Sequence, residues 1–165
     1  MDTREKIASR EGLHDILEEH RRSGRKIVFA NGVFDLLHVG HVRYLQAARA
    51  EGDLLVVGVN SDSSTRKLKG PGRPILTERA RAALVAALQA VNHVVIFDEL
   101  DVNATLRELR PDVHAKGTDY TADTVPEREV AALLGIRVAI VGDPKQHSTR
   151  DLLARLLQSD DAPDA

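Results

Sequence analysis

The sequence predicts an α/β fold in which a doubly wound, five-stranded parallel sheet is covered by helices on both faces. Three observations predict it. Five short runs rich in Val, Ile, Leu and Phe are apolar almost throughout, as strands buried on both faces should be. These runs alternate with helical patterns, which implies right-handed crossovers between parallel strands. Each polar cluster with chemical potential comes after the end of such a run, where ligands bind in sheets of this kind.

In chain order, Leu13, Ile16, Leu17 and His20 come first, at i, i+3, i+4 and i+7, an amphipathic helix within an N-terminal helical segment 1–22. Strands are expected over 27–30, 54–59, 93–97, 113–116 and 138–141, and helices over 41–50, 78–91, 102–110 and 127–134, with a last one after Ser148. Thr124 with Glu127, and Ser148 with Asp151, have the spacing of helix-starting capping boxes. Gly135 sits where a helix C-cap is expected. The chain is read as a single domain over 1–157, Rossmann-like in its alternation, with a frayed acidic tail over 158–165.

Composition narrows the function classes. A length of 165 residues suffices for one well-buried core. No cysteine is present, so disulfide and thiol chemistry are excluded, and a reducing compartment is compatible. There is no opening apolar segment of a leader and no run long enough to span a membrane, which suggests a cytoplasmic protein. A net charge of −2 and an aromatic content of 3% argue against a general nucleic-acid binder.

The stretch from Asn31 to His41 carries the strongest signal: Asn-Gly-Val-Phe-Asp-Leu-Leu-His-Val-Gly-His directly after the first strand. This is a strand, a turn and a helix entry with two histidines in an H-x-G-H arrangement. Gly40, lacking a side chain, lets the backbone approach a phosphate between His38 and His41. The helix that begins there aims its unpaired N–H groups and positive dipole end at the same place. Two imidazoles there can donate hydrogen bonds to phosphate oxygens. Two ligands three residues apart with no third do not make a zinc site. Incidental histidines in a strand–helix turn are the bland reading, and Gly32, Phe34 and Asp35 at their spacings weigh against it.

Four further clusters lie just past strand ends. Asn60 and Asp62 flank Ser61 after the second strand and are placed to reach sugar hydroxyls or a metal-bound phosphate, although an Asx-turn ending the strand explains them as well. Arg66, Lys67, Lys69, Arg73, Arg79 and Arg81 surround a Gly-Pro segment, read as a cationic loop that clamps phosphates and excludes water. Arg81, one turn into a helix, also fits a plain salt bridge. Lys116, Gly117, Thr118, Asp119 and Tyr120 come after the fourth strand, where glycine lets a flat base lie against backbone, or where an ordinary turn lies. Ser148 and Thr149 open the last helix as a second anion site or as a simple cap. His14, His20, His93 and His114 are read as structural or surface residues.

The stretch from Asn31 to His41 resembles the signature of the H-x-G-H nucleotidyltransferases, which include the cytidylyltransferases and pantetheine-phosphate adenylyltransferase. From about residue 11 to 157 the chain resembles one branch, the adenylyltransferase domain of ADP-heptose synthase, without its kinase domain. The carrying strings are Phe29-Ala-Asn-Gly-Val-Phe-Asp-Leu-Leu-His-Val-Gly-His, Val57-Gly-Val-Asn-Ser-Asp, Leu68-Lys-Gly-Pro-Gly-Arg-Pro, Lys116-Gly-Thr-Asp-Tyr and His147-Ser-Thr. The chain departs from that branch at Ala30, Thr118 and Arg150 and in the segment from Gly142 to Gln146.

The resemblance implies transfer of AMP from ATP to D-glycero-β-D-manno-heptose 1-phosphate, on a route to lipopolysaccharide core or related surface glycans. It implies that His38, His41 and Lys69 are catalytic. Asn31, Gly32, Val33, Phe34, Gly40, Lys116, Gly117, Asp119, Tyr120, Ser148 and Thr149 would bind the nucleotide. Asp35 would lie near the acceptor or the metal, and Asn60, Asp62, Arg73 and Arg81, on the reading of the residues themselves, would meet the sugar phosphate. Mg²⁺ would arrive on the triphosphate rather than on protein ligands. A homo-oligomer and a separate sugar kinase are further expectations. The rival readings are a cytidylyltransferase acting on glycerol phosphate or a phosphonate, and an inactive nucleotide-binding partner module.

Overall fold

A computed structural model gives residues 2–143 of the chain. The expected helix after Ser148, the anion-site residues Ser148 and Thr149, and the tail 158–165 lie outside these described residues.

The expected sheet is present. Strands β1 (Ile27–Gly32), β2 (Leu54–Asn60), β3 (His93–Phe97), β4 (Val113–Gly117) and β5 (Arg137–Val141) are all parallel, in the order β3-β2-β1-β4-β5. The chain winds outward from β1 to β3, then returns to place β4 on the other side of β1. The winding therefore reverses between β1 and β4, and their carboxyl ends frame the crevice of the fold.

Alternation along each strand divides the core. Val28 and Ala30 of β1, with Leu55, Val57 and Val59 of β2, face helices α3 (Val39–Arg49) and α5 (Glu78–Ala86) through Leu45, Ala48, Ala82, Val85 and Ala86. Ile27, Phe29, Leu54 and Val56 face the other way, onto α2 (Arg10–Arg22), α6 (Asn103–Leu109) and α7 (Arg128–Leu133). Leu13 and Leu17 anchor α2 there with no exposed surface, each contributing about 1.5–3 kcal/mol of burial. Gly58 is required by this layer: a Cβ there would lie 2.8 Å from the ring of Phe29 and 3.2 Å from that of Phe97.

Local chemistry ends the elements. Gly135, at φ 70°, closes α7 in a Schellman motif, with Gly135 N–H to the Ala132 carbonyl and Ile136 N–H to the Ala131 carbonyl. The amino ends of the central strands are sealed by side chains. Asp53, Asp112 and Asn92 accept from the backbone N–H groups of Lys26, Ile27 and Leu55 at 2.8, 2.7 and 2.9 Å. That edge is closed, and the open polar ends lie opposite.

Three expectations need correction. The segment after β2 is a helix, α4 (Asp62–Lys69), capped by the Ser61 hydroxyl on the Ser64 N–H; it places Arg66, Lys67 and Lys69 on a helix rather than in a loop. Its buried residues are Ser64 and Thr65, so no apolar period advertises it. The helix expected over 78–91 stops at Ala86, and Lys6 of the short α1 (Thr3–Lys6) takes the Leu88 and Val91 carbonyls at 3.4 and 2.8 Å. Thr124 does not cap α7; its hydroxyl bonds back to Thr121, and Glu127 is the N-cap residue without a side-chain cap bond. Among the described residues no helix is long and apolar enough to cross a membrane.

Candidate active site

β1 delivers the chain to the crevice at Gly32, and α3 leaves it at Val39, with His38 as its N-cap residue. The His38 carbonyl accepts from His41 N–H at 2.9 Å and Val42 N–H at 3.3 Å, while its imidazole makes no capping bond. That imidazole stacks on the His41 ring, with centroids 3.8 Å apart and planes inclined by 25°. No acidic residue occupies the first turn of α3, so its positive end is not neutralised from within the helix.

Phe34 holds this pair in place. Its backbone adopts φ 51°, a left-handed conformation that costs a bulky residue about 1–2 kcal/mol. The strain turns the ring back over Gly32, where an added Cβ would sit 3.0 Å from it, and edge-on to His41 at 5.2 Å between centroids. Gly32, Phe34 and His41 thus form one packed unit, which explains why a glycine and an aromatic ring stand at these positions. His38 and His41, expected to act together, are brought together.

The facing wall comes from β4. The register that pairs Ala30 with Ala115 sets Asn31 beside the side chains of His114 and Lys116. His114 Nε2 lies 3.2 Å and Lys116 Nζ 3.4 Å from Asn31 Oδ1. Lys116 pairs with Glu127 at 3.3 Å, both almost fully buried, and lies 4.8 Å over the Tyr120 ring. Burial, reinforced by the charge of Lys116, lowers the His114 imidazole to about 3, so its ring is neutral near pH 7. Tyr44 of α3 donates to the Ala115 carbonyl at 2.8 Å, tying the two walls, and burial pushes its phenol above the usual range. Among the described residues, a Cβ at Gly117 would meet nothing within 4 Å. Thr118 donates to the Asp143 carbonyl at 2.9 Å, and Asp143 pairs with Arg43 of α3 at 2.9 Å.

Of the residues expected to meet a sugar phosphate, Asp35 pairs with Arg73 and Asp62 with Arg81. Arg81 has no exposed surface and donates to the Leu76 carbonyl, the Val33 carbonyl and Asp62 at 2.9, 2.6 and 2.8 Å, the salt bridge that its place one turn into a helix also fits. It clasps the turn after β1 to the start of α4 and does not open on the crevice. Asp35 accepts from the N–H groups of Ile75 and Leu76 at 2.8 and 3.1 Å and pairs with Arg73 at 2.8 Å. Asn60 donates to Ser64 at 3.2 Å. Asp35, Arg73, Asp62 and Arg81 therefore fix the Gly-Pro segment against the H-x-G-H turn. Lys69 ends α4 exposed, and among the described residues none is bonded to its ammonium group.

Sequence reasoning passed over His114, Glu127 and Tyr44. A signal for the first existed: His114 and Lys116, two apart on a strand, share a face. Among the described residues no group of three or more His, Cys, Asp or Glu side chains is arranged to hold a metal ion. The carboxylates of Asp35 and Asp62 are each paired with an arginine.

Residues 29–155 match the model of the cytidylyltransferase-like family. The chain belongs to the cytidylyltransferase-like family. Among relatives, the bifunctional protein HldE of Syntrophotalea carbinolica is 49% identical over 152 residues, 92% of this chain and 31% of that protein. The HldE protein of Geobacter metallireducens is 45% identical over 158 residues, 96% of this chain and 32% of that protein. The chain thus spans about a third of the length of these relatives. A solved structure, the lipopolysaccharide core biosynthesis protein from Thermoplasma volcanium GSS1, superposes with a TM-score of 0.64 at 31% identity, covering 74% of this chain and all of that one. The matched family span includes the H-x-G-H turn and the β4 strand end described above.

Proposed function

We propose that this member of the cytidylyltransferase-like family transfers AMP from Mg·ATP to a sugar 1-phosphate, D-glycero-β-D-manno-heptose 1-phosphate, releasing pyrophosphate and yielding ADP-heptose. The observation that carries the chemistry is the stacked His38–His41 pair at the uncapped positive end of α3, beside the reversal point of the sheet. The acceptor rests on the similarity to HldE and on the Leu68–Pro74 and Lys116–Tyr120 strings.

The reaction needs no protein nucleophile, because a sugar phosphate is already ionised at pH 7. A phosphate oxygen of the acceptor attacks the α-phosphorus, the bond from that phosphorus to the bridging oxygen breaks, and pyrophosphate leaves with the electron pair. His38 and His41 donate hydrogen bonds to the oxygens on which charge grows, and the N–H groups of α3 lie behind them. Lys69, free to move on the end of α4, closes on the departing pyrophosphate. Asn31, Lys116, Gly117, Asp119 and Tyr120 bind the base and ribose, and binding of the far phosphates by Ser148 and Thr149 rests on the family resemblance alone. Magnesium is part of the nucleotide substrate. A separate kinase activity supplies the sugar 1-phosphate.

A second reading, CTP as donor with glycerol phosphate or a phosphonate as acceptor, is favoured by the match to the cytidylyltransferase-like model. Pyrophosphate release from ATP and from CTP, each with and without heptose 1-phosphate, separates the two. Release only with ATP plus the heptose phosphate supports the proposal. Release with CTP moves the donor, and binding without release on any acceptor favours an inactive partner module.

A further inference from the structure

Asn31 stands at the carboxyl end of β1, half-buried, where the nucleotide site proposed above would lie; its role as a nucleotide contact rests on that proposed function. Its carboxamide is asymmetric in its contacts. Lys116 Nζ lies 3.4 Å from Oδ1, and an ammonium group only donates, so the oxygen faces the lysine. His114 Nε2 lies 3.2 Å from that same oxygen and must donate too, which requires the tautomer with its proton on Nε2. Nδ1 of His114 is buried with no partner, consistent with an unprotonated nitrogen among apolar neighbours. Glu127 also pairs with Lys116, at 3.3 Å, and the Lys116 ammonium lies 4.8 Å over the Tyr120 ring. Both lone pairs of Oδ1 are thereby occupied, and the Asn31 amide nitrogen bonds to none of the described residues.

We propose that His114, and Glu127 acting through Lys116, are positioning residues that lock the Asn31 carboxamide oxygen-inward, so that its NH₂ is a fixed hydrogen-bond donor to the bound nucleotide. Neither His114 nor Glu127 touches the nucleotide; each acts by removing the freedom of Asn31 to flip. A flipped amide would present an oxygen to an anionic ligand and two N–H groups to an ammonium ion. The buried Glu127–Lys116 pair thus makes the wrong rotamer costly. The neutral state of His114 serves the same end, since a proton on both nitrogens would put a second charge beside Lys116.

The test has two arms on the full chain. The ¹⁵N shifts of the His114 ring in the ligand-free protein report its tautomer; a proton on Nε2 is expected, and a proton on Nδ1 or a charged ring overturns the proposal. A double-mutant cycle then reads kcat/KM for ATP. His114→Leu is expected to lower it about tenfold in the wild-type background and less than about twofold in the Asn31→Ala background. Equal losses in both backgrounds would show that His114 acts through general packing. Glu127→Leu repeats the cycle should His114→Leu fold poorly, and His114→Gln, which keeps a donor near the Nε2 position, is expected to recover most of the loss. If the wild-type protein releases no pyrophosphate from any nucleotide, the transferase reading fails, and the tautomer still decides how Asn31 is held.

Discussion

Arg81→Met removes a guanidinium with no exposed surface and leaves its three partners in place. Two of these, the Val33 and Leu76 carbonyls, lose donors at 2.6 and 2.9 Å. Leaving such a partly buried acceptor without its donor costs up to about 1–3 kcal/mol each. The third, Asp62, keeps 26% of its side-chain surface in water and is partly resolvated, so its share is at the low end. The sum is about 3–5 kcal/mol, a large part of the ~5–15 kcal/mol that stabilises a domain of this size. Urea unfolding monitored by far-UV circular dichroism measures it. With a slope of about 2 kcal/mol per molar, the midpoint should fall by about 2 M. Arg81→Lys should recover little, because one ammonium cannot reach three divergent acceptors. A variant that unfolds within about 0.5 kcal/mol of wild type but loses affinity for the acceptor would refute the clasp and return Arg81 to the ligand site.

The same geometry has other consequences. The His114 ring stays neutral in the folded protein down to about pH 3, whereas the unfolded chain takes up its proton below about 6.5. Its contribution is therefore complete above pH 6.5 and lost as acid is added, with a slope of up to about 1.4 kcal/mol per pH unit; burial of His93 adds to it in the same sense. Urea midpoints between about pH 4 and 7 should show this slope, flattened in His114→Gln. Asp35→Asn sets an amide against Arg73 and loosens the segment held at Ile75 and Leu76, so tryptic cleavage after Lys69 should accelerate while β-sheet content is kept. Gly32→Ala pushes a methyl to within 3.0 Å of the Phe34 ring that rests on His41; turnover should fall by about tenfold for a stability loss of about 1 kcal/mol.

The sheet and the H-x-G-H turn were legible because their signals are local. Strands buried on both faces are apolar throughout, and the turn from Asn31 to His41 concentrates its glycines and histidines in one stretch. What was not legible depends on partners distant in sequence. Arg81 reads as one more cation in a basic segment until the Val33 carbonyl, 48 residues away, is found against it. Asp35 and Arg73, 38 residues apart, carry no sequence sign that they pair with each other. The alternation that puts His114 on one face with Lys116 is readable, but nothing in it shows that Asn31, 83 residues earlier, lies beside them. Helix α4 escaped because it buries Ser64 and Thr65 instead of an apolar stripe, although Ser61 before Asp62 was a usable start signal.

The stacked histidines are central to the proposed chemistry, and parallel measurement of turnover and nucleotide affinity in His41→Ala tests them most directly. If the ring acts on charge that develops at the α-phosphate, kcat for pyrophosphate release should fall by about 10²–10³ while the dissociation constant for ATP changes by less than about threefold. Equal losses in turnover and affinity would contradict a transition-state role and leave His41 as a binding residue only.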